Sequence, residues 1–170
     1  MDYAKFLEST FPNGKFPVSL EALFSALGKI VYAWNYVEFY IDSCKLIIWH
    51  HYGGNSMPKW KQIPRSLNNK IAYIRDALQI DKLAFLKHDG EILMGRIEQL
   101  SENRHKMIHS CFKHANTDSF DFYKYDYKND HNILELNFTI DECLQYGNKM
   151  MDRVIELFLF FVGLSSHAKP

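Results

Sequence analysis

From Ser19 to Gly53 the chain repeats apolar residues in steps of mostly three and four: Leu20, Leu23, Phe24, Leu27, Val31, Trp34, Val37, Ile41, Cys44 and Ile48. That is the period of an α-helix. Ser19 is placed to cap it, Glu21 falls in its first turn, and Gly53-Gly54 ends it. A helix of about 34 residues spans about 50 Å. Its other faces carry Ile30, Tyr36, Phe39, Tyr40 and Ile47. One neighbour cannot cover that much apolar surface. The helix must run through a bundle, enter a dimer interface, or do both.

The rest of the chain supplies the neighbours. Pro12-Asn13-Gly14 is a turn signal, and a short helix over about Tyr3–Ser9 is compatible with the pattern before it. Gly54–Gln62 reads as a loop. Pro64 suits the first position of a second helix, whose stripe is Leu67, Ile71, Ile74 and Leu78. A third helical region covers about Asp81–Lys113, with Leu86, Leu93, Ile97, Leu100, Met107, Ile108 and Cys111 on one side. Asp89-Gly90 is the place for a break within it. The period then changes to alternation. Phe120–Tyr127 and Leu134–Phe138, joined by a polar turn over Lys128–Asn132, read as a β-hairpin. Thr139-Ile140-Asp141-Glu142 is a capping box, with Phe138 ahead of it as a staple. The last helix runs to about Leu164 on a stripe of Leu144, Met151, Val154, Ile155, Phe158 and Phe161. The expected fold is all-α, a bundle of four to five helices with a very long first helix and a small hairpin before the last. Residues 1–18 form an extension, 19–164 the bundle and 165–170 a mobile tail of one domain.

Composition narrows the function. The 170 residues include 20 basic and 20 acidic side chains, giving zero net charge. A protein that grips long nucleic acid usually carries a basic excess, so any such role must rest on a local patch. One patch exists: Arg104–His114 holds Arg104, Lys106, Lys113 and three histidines with no acid. The longest strongly apolar run, Leu157–Leu164, falls well short of the roughly 20 residues that span a bilayer. The first residues show no basic region followed by an apolar stretch. These features predict a soluble, cytoplasmic chain without a membrane partner. Cys44, Cys111 and Cys143 are too few and too scattered for a disulfide framework or a zinc pattern. No Gly-rich phosphate loop, His-Glu-x-x-His or Gly-x-Ser-x-Gly occurs, and no cofactor is expected.

Within the basic patch stands Arg104-His105-Lys106-Met107-Ile108-His109. An arginine offers a permanent charge for a phosphate, and a histidine takes or gives a proton near neutral pH. On an ideal helix Arg104 and His109 lie about 140° apart around the axis and about 7.5 Å along it. They share no face. Arg104 must curl, the helix must bend, or two chains must contribute.

A helical bundle with a long first helix and Arg104-His105-x-x-x-His109 on its third helix resembles the HEPN superfamily. The leucine-rich approach Ile97–Asn103 and the short hairpin before the final helix are similar to that family too. The resemblance covers about residues 19–164. It implies a homodimer or heterodimer and a metal-independent ribonuclease site where two motif helices meet. It also implies roles as toxins with an antitoxin or other regulatory protein, in antiphage defence, in RNA processing, or as non-catalytic modules. Members paired with a nucleotidyltransferase antitoxin often carry a tyrosine two residues after the motif histidine. Cys111 stands there, so regulation through such a tyrosine is not expected.

RNA brings its own nucleophile, the 2′-hydroxyl. The expected chemistry gives His109 the proton transfer, Arg104 the phosphate oxygens, and His105 the place of accessory donor or second proton carrier. Lys106, Lys113 and His114 are expected to bind RNA. Plainer readings stand beside these. His109 is an ordinary helix histidine, Arg104 pairs with Glu102, Glu98 or an acid on another helix, and the aromatic strand Phe120–Tyr127 is a half-buried sheet face instead of a base-stacking platform. His50 and His51 complement the negative end of the first helix. Trp34 and Trp49 are core or interface anchors. Asn35 and Glu38 either reach the motif helix or face solvent. His105 and His109, four residues apart, lack a third metal ligand nearby. The alternative function is a non-catalytic helical module that binds a partner protein or a nucleotide.

Overall fold

The helical period from Leu20 to Ile48 becomes one unbroken helix, α1 (Val18–His51), with His50 and His51 in its last turn. The computed structural model describes residues 18–115, 119–126 and 132–168, with side chains described for 21–110, 119–124 and 133–168. The expected helix over Tyr3–Ser9 and turn at Pro12–Gly14 lie outside these residues. Ser19 is within α1 and does not cap it. Buried positions on α1 recur at seven-residue steps, Leu23, Ile30, Val37 and Cys44, with Ile41 and Ile48 between and beyond them. Phe24 and Val31, expected in that stripe, are exposed.

Among the described residues three further α-helices surround α1: α2 (Leu67–Ala77), α3 (Lys87–Ile108) and α4 (Ile140–His167). Helix α4 packs against α1 most extensively. Asp42 of α1 bridges Lys45 of its own helix and Lys70 of α2, at 2.5 and 2.8 Å. Pro64 does not open α2. Ser66 caps it instead, its hydroxyl accepting from the Asn69 amide at 3.4 Å. A 3₁₀ turn at Asp81–Leu86 precedes α3, so the break falls before Lys87 and not at Asp89-Gly90. Gly90 serves packing. A Cβ there would lie 2.7 Å from Leu78 Cδ1 and 2.9 Å from Phe160 Cε2, which lets α3 sit close to both neighbours.

Helix α3 ends at Ile108, five residues short of the expected Lys113. The chain enters β1 (Cys111–Ala115), which pairs antiparallel with β2 (Ser119–Asp126), and β2 with β3 (Asn132–Thr139). The expected hairpin is β2–β3, with Asp126 opposite Asn132. The rest of its turn, Lys128–His131, lies outside the described residues. Strand β1 adds a third member in the order β1-β2-β3. Phe120 and Phe122 point inward and form a small second core with Leu23. They are sheet face, not a stacking platform.

Thr139 caps α4 with the full capping box that its sequence spells. The buried face of α4 is Cys143, Tyr146, Met150, Val154, Leu157, Phe160 and Leu164, about one residue out of phase with the expected stripe; Leu144, Ile155 and Phe158 are exposed. Ser165, Ser166 and His167, expected in a mobile tail, continue the helix. The Tyr52 hydroxyl donates to the Leu164 carbonyl at 2.7 Å, and the His167 ring packs on Phe85. Among the described residues no helix is long and apolar enough to cross a membrane.

Candidate functional site

The end of α3 decides the site. Because the helix stops at Ile108, His109 adopts φ −103° and ψ 14° as its C-cap. It leaves the position an ideal helix would give it. The Arg104 Nη1 then lies 3.0 Å from His109 Nε2. The expected separation around the helix is removed within one chain, without a second copy. A guanidinium can only donate, so Nε2 is the acceptor in this pairing.

Arg104 is held from two sides. Its guanidinium lies over the Trp34 ring, Cζ 5.5 Å from the ring centre. Arginine stacks in this way on aromatic faces. Trp34 is 2% exposed, and its indole Nε1 donates to Glu38 Oε1 at 2.6 Å. From α4, the buried Tyr146 hydroxyl donates to the Leu100 carbonyl and lies against the Arg104 backbone amide. Burial pushes the Tyr146 phenol well above its ordinary value, with Arg104 opposing. Glu98 is taken by Arg75 at 2.9 Å, and among the described residues Arg104 forms no ion pair. Among the described residues its Nε is buried without a hydrogen-bond partner.

Around it opens a cleft of about 620 Å³, lined by Trp34, Glu38, Asn68, Glu102, Arg104, His105, Lys106 and Lys124, with Leu67 and Ser101. Four elements meet there: α1, the start of α2, the end of α3 and β2. Three permanent cations face two carboxylates. The His105 imidazole is held below its usual range, first by partial burial, then by the charges of Lys124, His109 and Arg104. Its ring lies 4.8 Å from that of His109. His109 is exposed and stands outside the lining, joined to it through Arg104 and His105. Among the described residues no three histidine, cysteine or acidic side chains are set to hold a metal. Cys44 and Cys143 are buried free thiols, and burial pushes the Cys143 thiol up to about 11.

The structure thus brings together Arg104, His105, Lys106 and His109 of the expected set. Lys113 and His114 fall on β1, at the bulge where its pairing with β2 shifts; their side chains lie outside those described. Glu38 lines the cleft, whereas Asn35 faces solvent. Trp34 is both core and cradle. Lys124 and Asn68 were invisible to sequence reasoning, because only packing brings their elements to α3. No protein-family model, curated protein or solved structure matches the chain.

Proposed function

We propose that the chain is a metal-independent endoribonuclease of HEPN type, acting in the cytoplasm in a toxin-like or antiphage role. The observation that carries this reading is the 3.0 Å contact between Arg104 and His109 beside a cleft rich in cations. A scissile phosphate arriving at the cleft competes for the guanidinium. As Arg104 turns its donors to the phosphate oxygens, His109 Nε2 loses its partner and is free to accept the 2′-hydroxyl proton. The 2′-oxygen attacks phosphorus, the bond to the 5′-oxygen breaks, and a proton from His105 or water completes the leaving hydroxyl. The products are a 2′,3′-cyclic phosphate and a 5′-hydroxyl. Lys106 and Lys124 add charge along the strand, and Trp34 and Tyr146 keep the arginine in place.

The acid–base part is worth about 10²–10⁴-fold, and a positioned charge donor about 3–4 kcal/mol. The test incubates single-stranded RNA with the protein in EDTA and analyses fragment ends. Wild type leaves cyclic phosphates, and His109→Ala and Arg104→Ala each lose about 10²-fold or more. Intact RNA with well-folded wild type overturns the proposal.

The exposed apolar faces of α1 and α4 support a homodimer as well. Regulation by an antitoxin or another protein partner belongs to the same reading.

A further inference from the structure

One acid in the cleft is out of place for phosphate binding alone. Glu38 is exposed, yet one of its carboxylate oxygens accepts from the buried Trp34 indole at 2.6 Å, and Glu38 shares the cleft lining with Arg104. A carboxylate near a phosphate repels it. A carboxylate one nucleoside away from a phosphate reads a base. We infer that the cleft selects guanine, with Glu38 accepting from the base of the nucleotide whose phosphate Arg104 holds. This rests on the RNA reading above and names the substrate within it.

The choice of base follows from donor and acceptor patterns. An ionised carboxylate only accepts, at about four lone-pair sites; Trp34 occupies one. On the Watson–Crick edge guanine presents two adjacent donors, N1–H and N2–H, and satisfies both carboxylate oxygens. Adenine and cytosine each offer one amino donor beside an acceptor nitrogen. Uracil offers one N3–H between two carbonyls, both of which a carboxylate repels. Asn68 faces the same cleft from the start of α2, and its amide N–H matches the guanine O6 next to N1–H. The cleft volume of about 620 Å³ lies within the roughly 300–1,000 Å³ of sites that enclose ligands of this size. Good bidentate base contacts discriminate by about 1–3 kcal/mol, equivalent to about fivefold to 150-fold.

The experiment measures equilibrium binding of the four nucleoside 3′-monophosphates to the full chain by calorimetry, without any need for cleavage. The expected result is that the guanosine nucleotide binds about fivefold to 150-fold tighter than the others. Glu38→Gln keeps the side-chain shape and an acceptor for Trp34 but replaces an acceptor with a donor. It is expected to erase the guanine preference. Asn68→Asp, on an exposed helix start, is expected to weaken guanosine binding selectively. Equal binding of all four, binding of none, or a guanine preference that survives Glu38→Gln overturns the inference. The two readings fail separately. RNA cut after every base with equal nucleotide binding removes guanine selection alone. Intact RNA with guanine-selective binding removes the nuclease alone.

Discussion

His105 shows how the site's charges act on a single residue. Its imidazole sits among Lys124, His109 and Arg104, so each positive neighbour disfavours its protonated form. A histidine whose folded pKa lies below its unfolded value binds its proton less readily in the native state. As pH falls below about 6.5, the unfolded chain takes up that proton first, and His105 subtracts stability. Lys124→Gln removes the largest named charge and should move the His105 titration upward, read from its ring proton resonances by NMR. A midpoint unchanged by the substitution would remove Lys124 from the site. At this scale the sequence was half informative. Arg104, His105 and His109 were recognisable by type and spacing. Their convergence was not, because an ideal helix separates Arg104 and His109 by about 140° and nothing before Cys111 announces that α3 stops at Ile108.

Among the elements, the clearest joint lies where α1 hands over to α2. Gly54 starts a 3₁₀ turn against the hydroxyl of Tyr73, whose ring packs on Trp49 and Trp60 at 6.1 and 5.5 Å between centres. A Cβ at Gly54 would run into the Tyr73 hydroxyl and come within 2.9 Å of the Ile48 carbonyl. Gly54→Ala should therefore cost about 1–3 kcal/mol, the usual penalty of overpacking, measured by urea unfolding. Among the described residues the buried Tyr73 hydroxyl has no partner, so Tyr73→Phe alone should be neutral or stabilising. It should also recover part of the Gly54→Ala loss; equal losses in the single and double variants would contradict this packing. Element boundaries were legible where chemistry marks them, as with the Thr139–Glu142 box and the Gly53-Gly54 stop. They were illegible where only packing marks them. Cys111 fits helix and strand alike, and pairing with β2 decides for strand. The phase of α4 was missed because Leu157–Val162 is apolar on every face, so periodicity over that stretch selects no unique stripe.

The whole molecule carries more apolar surface than its core uses. Tyr32, Tyr36 and Phe39 are exposed along α1, and the strip continues through Tyr40 to Phe158 and Phe161 of α4, at 5.8 and 5.9 Å between ring centres. Phe39 is 60% exposed and Phe158 45%. Contiguous aromatic patches of this kind mark interaction sites on soluble chains, and a two-fold axis lets one patch cover its own copy. Tyr32 and Phe39 stand about 140–160° around α1 from Trp34, so a dimer formed through this strip leaves each cleft complete within its own chain. That arrangement differs from a site shared between motif helices, and the two are separable. Sedimentation equilibrium should give twice the 20.1 kDa chain mass for wild type and one chain mass for Phe39→Glu paired with Phe158→Glu. Both side chains already meet solvent, so the fold should survive the change. The monomeric variant should cut RNA at the wild-type rate per chain. Cleavage lost together with the dimer, in a variant whose helical content is intact, would show that the partner copy completes the site. A wild type that sediments as a single chain would leave the strip without a mate and end the dimer proposal.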